Sequence, residues 1–335
     1  GNLIKGAIGT TFTTSLSGIF TVITTNAAGC SSLSSTAQTV TINPVPTASI
    51  AQGTTLAFTD CSTTSINLTA QTSGTSPTYL WYKDGVSTAI TTATLAVSAA
   101  GSYTVEITAA GCTSNSAVSK VLSLPTTTTA TTQACQGGAI LISANTTGYN
   151  SPTYQWEVST SSNGGTWTNV STGGTSATYS ATVSGSYRVT VTHSGGISSS
   201  CPVDVTILAL PTFSVSPALT ASICAGSTTN LTGASTATGV SYQWKISGTS
   251  ISGANTITLT TGLEGSYTLQ ITDANGCQAE STASVVTVNS YPVVSVSASP
   301  ALVSCAGSPI TLTATSTGSP TYQWQLYGST WGNVS

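Results

Sequence analysis

The chain has 335 residues, 39% of them apolar, with five Lys plus Arg, eight Asp plus Glu and a net charge of −3. So little basic charge excludes a nucleic-acid footprint and a polybasic membrane anchor, and with 4% charged residues the surface has to be covered by hydroxyls and amides. Short β-branched and hydroxylated residues with 32 Gly and 12 Pro suit strands and turns, no window keeps a helical period, and the expected fold is all-β with essentially no helix.

One motif recurs four times along the chain: Tyr79-Leu80-Trp81, Tyr154-Gln155-Trp156, Tyr242-Gln243-Trp244 and Tyr322-Gln323-Trp324. Each Trp follows a cysteine at a nearly fixed interval, 20 residues after Cys61, 21 after Cys135, 20 after Cys224 and 19 after Cys305. A period of this size means a tandem array. Residues two apart on a strand share a face, so each Tyr and Trp pair is expected in the core of a small sandwich. Rings stacked on sugars would have to be exposed, and a domain this poor in bulk cannot spare them.

In chain order, residues 1–43 hold Gly18-Ile19-Phe20-Thr21-Val22 and then Gly29-Cys30, which match the second half of later repeats: Gly101-Ser102-Tyr103 before Cys112, and Gly265-Ser266-Tyr267 before Cys277. Residues 44–123 form a whole repeat, 124–209 a second carrying Cys135 and Cys201, and 210–290 a third. Prolines 44, 46, 125, 211 and 292 mark short joints, which implies a linear, semi-rigid rod. Residues 291–335 hold a first half only, with Cys305, Tyr322, Trp324 and Trp331. If a copy of Gly1 follows Ser335, Trp324 to Phe20 spans 31 residues, as Trp156 to Tyr187 does. The chain is therefore expected to be one period of a polymer. Either it is cut from one long polypeptide, the favoured version, or separate subunits complete a split domain by exchanging strands.

Eight cysteines without a Cys-x-x-Cys pair or clustered His point to disulfides in an oxidising compartment, hence an extracellular or cell-surface location. No apolar run approaches 18 residues, so no membrane insertion of this segment is expected. The single histidine, His193, reads as an exposed turn residue in Thr192-His193-Ser194-Gly195-Gly196. The carboxylates are scattered, Asp273-Ala274-Asn275-Gly276 reads as turn chemistry, and Lys83 and Lys245 read as ordinary exposed residues rather than isopeptide donors. No catalytic, cofactor or metal site is visible, and an enzyme is not expected. Trp167 and Trp331 lie outside the core position on a hairpin; packing against a neighbouring domain is favoured over adhesion through exposed rings.

Cys224-Ala225-Gly226 with Asn230-Leu231-Thr232, Tyr242-Gln243-Trp244, Gly265-Ser266-Tyr267 and Asp273 to Cys277 make the repeats resemble the immunoglobulin-like and PKD-like modules of giant Bacteroidota surface proteins. The resemblance covers the whole chain. It implies tandem immunoglobulin-like β-sandwiches, export by the type IX secretion system, and a role as adhesin, motility filament or stalk. With immunoglobulin strand order the two cysteines of one repeat sit at opposite poles, about 20 Å apart for a seven-residue strand, whereas bridged Cα atoms lie within about 7 Å. Interdomain pairing would join Cys61 with Cys201, Cys135 with Cys277, and Cys224 and Cys305 with Cys30 and Cys112 of the following copy; intradomain bonds in an altered topology and free thiols stay open. The expected function is a non-enzymatic filament, sheath or stalk whose partners are copies of itself, head-to-tail and lateral. A surface adhesin binding glycans, with the loop 158–180 as its best candidate, and a passive spacer are the alternatives.

Overall fold

The computed structural model describes residues 3–161, 165–299, 301–328 and 330–333. Among them every regular element is a strand. The chain divides into two compact units, 1–207 and 208–335. The first holds the head segment and two complete sandwiches; the second holds the third sandwich and the tail segment.

Each complete sandwich has a three-stranded sheet facing a larger one. In the first, the small sheet runs Ser49–Ile50, Ile66–Gln71, Thr94–Val97. The larger runs Thr55–Ala57, Ser119–Leu122, Gly101–Ala109, Thr78–Lys83, Val86–Ser87. We call Ile66–Gln71 the leucine strand, Thr78–Lys83 the tryptophan strand, Thr94–Val97 the closing strand, Gly101–Ala109 the tyrosine strand and Ser119–Leu122 the exit strand. Their counterparts in the second sandwich are Ile140–Asn145, Thr153–Ser159, Thr178–Ala181, Gly185–His193 and Val203–Leu208. In the third they are Thr229–Ser235, Ser241–Ile246, Thr258–Thr261, Gly265–Thr272 and Ser284–Asn289. Two facing sheets with a buried Trp on the strand beside the tyrosine strand make these immunoglobulin-like sandwiches.

Strand alternation explains the cores. Along Gly101–Ala109, Tyr103, Val105, Ile107 and Ala109 point inward while Thr104, Glu106 and Thr108 face out. They meet Leu68 and Trp81 from the neighbouring strands. Trp81, Trp156 and Trp244 are each fully buried, and Tyr79, Tyr154 and Tyr242 are half-buried at the core margin.

Three hydrogen bonds recur at matching positions. The indole of Trp81 donates to the carbonyl of Thr92 at 2.9 Å, that of Trp156 to Ser176 at 2.9 Å and that of Trp244 to Thr256 at 3.0 Å. Tyr103, Tyr187 and Tyr267 donate their hydroxyls to the carbonyls of Ala99, Val183 and Leu263, four residues back, at 2.8, 2.9 and 3.0 Å. This is the tyrosine corner of immunoglobulin domains. Burial holds the Tyr187 phenol at a pKa of about 12, with Tyr179 beside it adding to the shift. Finally, Ser116, Ser200 and Ser281 each place a hydroxyl on the amide of the tyrosine strand, at Val105, Val189 and Leu269, at 3.0 Å.

The head and tail segments fold as parts of the same plan. Gly18–Phe20 pairs with Gln38–Val40 so that Gly18 opposes Val40, the register of Gly101 with Val121, Gly185 with Val205 and Gly265 with Val286. Ser35 donates its amide to the carbonyl of Val22 and accepts the Val22 amide on its hydroxyl, both at 3.0 Å, as Ser116 does with Val105. The tail pairs Val294–Ser299 with Thr311–Ser316 and Gln325–Tyr327 with Trp331–Asn333. The expectation that Tyr322 and Trp324 are core aromatics is not met within this chain: they are 52% and 37% exposed. Among the described tail residues no tyrosine strand lies alongside Trp324 to cover it.

Candidate functional site: a disulfide-locked joint

Within the first unit, the two complete sandwiches are joined by Cys61–Cys201, with Cα atoms 5.4 Å apart. Cys61 rides on a turn fixed by Asp60, whose carboxylate accepts the amide of Ser62 at 2.8 Å and that of Thr63 at 3.1 Å. The Ser62 hydroxyl and amide lower the Asp60 pKa, so the carboxylate stays ionised and keeps the turn. Cys201 follows the short strand Gly196–Ser199, which turns back on the tyrosine strand of the second sandwich. Beside the bond, the Ser199 amide donates to the Thr59 carbonyl at 2.7 Å.

The bond closes over apolar and polar contacts. Leu122, the last residue of the first exit strand, is buried in the second core, and Ala57 packs against that same core. Tyr149 donates its hydroxyl to the Ser123 carbonyl at 2.5 Å, and Lys120 donates to the Gly148 carbonyl at 3.2 Å. Gly195 lies so close to Thr55 that an added Cβ would sit 3.2 Å from its backbone carbon, which explains the missing side chain there.

His193 corrects the sequence expectation of an exposed turn residue: it is only 9% exposed. Its ring meets Tyr149 edge-on with centroids 4.5 Å apart. Nδ1 accepts the Gly195 amide at 3.0 Å, which places the proton of the neutral ring on Nε2, 3.2 Å from the Ser198 hydroxyl. Burial pushes the His193 pKa below its usual value, and a proton on Nδ1 would face the Gly195 N–H. A folded-state pKa below the unfolded one means stability is intact above about pH 6.5 and falls as the pH drops below it. Tyr149, its phenol pKa raised by burial, stays neutral throughout that window. Hydrogen exchange at the Gly195 and Ser199 amides, corrected for intrinsic rate, should accelerate between pH 7 and pH 5 in the wild type. In a His193→Asn variant that pH dependence should vanish; an unchanged slope would assign it to another group.

Cys135 and Cys277 are also disulfide-bonded. Four thiols remain free in the chain: Cys30, Cys112, Cys224 and Cys305. Cys112 lies at the joint between head segment and first sandwich, its sulfur 3.5 Å from the Asn43 carbonyl, while the Asn43 amide side chain donates to the Ala110 carbonyl at 2.8 Å.

Trp167 is half-buried, with the Arg188 guanidinium 4.4 Å from its ring centroid and Arg188 paired to Glu157 at 2.7 Å. It therefore packs on its own domain. Trp331 is 66% exposed and lies against Tyr327. Lys83 pairs with Asp84 and Lys245 with Glu280, and Asp273 accepts the amides of Asn275 and Cys277 in a turn. Of the loop 158–180, residues 162–164 lie outside the described residues, as do both termini of the expected seam, Gly1 and Ser335. An open cleft of about 630 Å³ runs beside the disulfide, lined by Phe58, Leu124, Pro125 and Val203 among others. Its described lining offers apolar surface and hydroxyls but no titratable side chain.

The sequence did not single out Leu122 or Tyr149. Leu122 could have been found, because Val121-Leu122 breaks the alternation just ahead of a Pro-marked joint. Tyr149 has no counterpart at that place in the other repeats, so periodicity carries no signal for it.

No protein-family model and no curated protein matches the sequence. Among solved structures, the chain is similar to extracellular domains 3–5 of Drosophila OTK, at 16% identity, covering 72% of this chain and 97% of that one with a TM-score of 0.29. It is also similar to three N-terminal domains of the bacteriophage RB49 highly immunogenic outer capsid protein, at 16% identity, 73% and 100% coverage and a TM-score of 0.33. A third is the I9–I11 tandem of titin, at 13% identity, 73% and 100% coverage and a TM-score of 0.26. The fold assignment rests on the sheet topology and registers given above.

Proposed function

We propose that this is a non-enzymatic, extracellular structural repeat protein that forms a filament, sheath or stalk of immunoglobulin-like sandwiches held in line by interdomain disulfides. The observation that carries the reading is Cys61–Cys201, which ties consecutive sandwiches to each other. A bond placed there does nothing for a single core and instead restrains bending at the joint. Persistent disulfides belong to oxidising compartments, which favours export, and the motif resemblance favours a bacterial surface protein secreted by the type IX route. A surface with five basic and eight acidic residues offers weak mutual repulsion, which suits lateral packing of fibres.

A surface adhesin for polysaccharide is the second reading, favoured by the exposed Trp331 and Tyr327 pair; a passive spacer is the third. Cryo-electron microscopy of native, unreduced material tests the first. A helical assembly with a repeat commensurate with four domains is expected. Isolated, bendable rods without a period would overturn it and leave the adhesin and spacer readings.

A further inference from the structure

We infer that the closing strand of the second sandwich, Thr178–Ala181, is a docking edge to which a second copy of the chain adds its own closing strand, antiparallel, so that two small sheets become one of six strands. This rests on and deepens the filament reading by naming a lateral interface and the partner that fits it. Thr178–Ala181 ends the small sheet, and among the described residues no strand pairs with its far side. On its near side the Ala144 amide donates to the Ala177 carbonyl at 2.8 Å. Ile142 opposes Tyr179 and Ile140 opposes Ala181. Antiparallel ladders alternate, so those pairs exchange hydrogen bonds while Thr178 and Ser180 turn their amides and carbonyls outward. Both residues are exposed. Unpaired backbone groups in a row are a template for another strand.

The other edges of this sandwich are guarded. The hairpin strand Thr168–Asn169 has two residues and Gln133–Cys135 has three, while Thr126–Thr129 starts directly after Pro125. The closing strand has four residues and carries neither Pro nor charge. Its counterparts in the other two sandwiches are blunted by their own side chains. The Thr92 hydroxyl donates to the Thr94 carbonyl at 2.6 Å, and the Thr256 hydroxyl to the Thr258 carbonyl at 2.7 Å. Thr94 and Thr258 occupy the place of Thr178. In the second sandwich Ser176 stands where Thr92 and Thr256 do and leaves the Thr178 carbonyl open.

The partner is a second copy because the edge is complementary to itself. With Tyr179 facing Tyr179 of the second copy on a two-fold axis, Thr178 lies opposite the second copy's Ser180, and Ser180 opposite its Thr178. Each opposed pair then exchanges two hydrogen bonds, which satisfies every outward amide and carbonyl of both strands. Charge favours the same partner. Two copies that each carry a net charge of −3 repel least where they carry none, and among the described residues no Asp, Glu, Lys or Arg lies on a small-sheet strand of any complete sandwich. Glu157, Arg188 and Asp204 of the second sandwich all lie on its large sheet. The outward side chains at the edge are short hydroxyls, which let two backbones approach to the spacing of about 4.7–4.9 Å that a strand pair needs.

Sedimentation equilibrium of the full chain tests this, with its disulfides intact, its four free thiols capped by iodoacetamide, and amide exchange followed over the same concentrations. The wild type should dimerise as concentration rises, and exchange at the Thr178 and Ser180 amides should slow in step with the dimer fraction. Ser180→Pro removes a donor that the sandwich itself does not use; it should weaken the dimer about tenfold or more, since two symmetry-related hydrogen bonds are lost at once. Thr178→Lys/Ser180→Lys sets Lys opposite Lys on both sides of the axis, and should weaken the dimer as much and recover with added salt. Exchange at the buried Val189 and Val191 should match the wild type in both variants and exclude misfolding. Ala96→Pro, the same kind of change on the first sandwich's closing strand, should leave association as it is. A monomeric wild type, dimers in which the Thr178 and Ser180 amides stay unprotected, undiminished dimers of either variant, or equal weakening by Ala96→Pro would overturn the inference. Any of these, with Cys61–Cys201 still present, would leave the filament reading to its own test on native material.

Discussion

Replacing Trp156 with Ala is expected to lower the melting temperature of the second sandwich by about 15–30 °C. The indole is fully buried, stacked near Tyr179 with centroids 6.1 Å apart, and bonded to the Ser176 carbonyl. Truncating a buried Trp costs roughly 3–5 kcal/mol. A sandwich of this size has little more than that in reserve, since stability runs near 0.05–0.15 kcal/mol per residue, and about 1 kcal/mol moves the midpoint of such a domain by about 4–8 °C. Scanning calorimetry on the oxidised full chain measures the effect. The first sandwich should lose stability as well, because Leu122 and Ala57 pack on the damaged core. The matching change at Trp324 makes the control: in the monomer it should shift nothing by more than about 2 °C, since the ring is already exposed. A small shift for Trp156→Ala would mean that the core is not organised around its indole.

That contrast shows what the sequence carries and what it does not. The tryptophan period, the Gly-Ser-Tyr strand and the cysteine spacing each express a contact made within one domain, so they repeat and can be read from one chain. The joint expresses contacts between unlike surfaces. His193, flanked by Gly195 and Gly196, has every local mark of an exposed turn; it is buried because its hairpin folds against Tyr149 and the neighbouring sandwich, neither of which the local sequence announces. Trp324 has every local mark of a core residue and is exposed, because among the described residues no tyrosine strand lies beside it. In both cases local pattern fixes which face is apolar, and long-range topology decides whether anything covers it. The cysteines lie between these cases. Immunoglobulin strand order, which the resemblance implies, puts the two thiols of a repeat at opposite poles but leaves several pairings open, and only the folded joint brings Cys61 to Cys201.

The mechanical consequence of that bond is the second large effect. Cys61 and Cys201 are 140 residues apart in sequence. When the oxidised chain is pulled from its ends, the enclosed segment cannot lengthen even if its sandwiches unfold. At roughly 3.3–3.6 Å per extended residue the bond hides about 460–500 Å of contour. Cys135 lies inside the loop and is itself disulfide-bonded, so the measurement is made in a Cys135→Ser/Cys277→Ser background. There single-molecule extension should gain that length on reduction, and likewise when Cys61→Ser/Cys201→Ser is added, which leaves no unpaired thiol at the joint. The same loss should cost about 2–5 kcal/mol of equilibrium stability, because the closed loop restricts the unfolded ensemble. The two readouts separate a bond that carries tension from one that does not. If reduction changes stability but releases no length, the sandwiches unfold outside the closed loop and the bond does not carry tension. If it releases length with little change in stability, the bond is a mechanical stop added to domains that hold themselves, which is the behaviour a fibre under load requires.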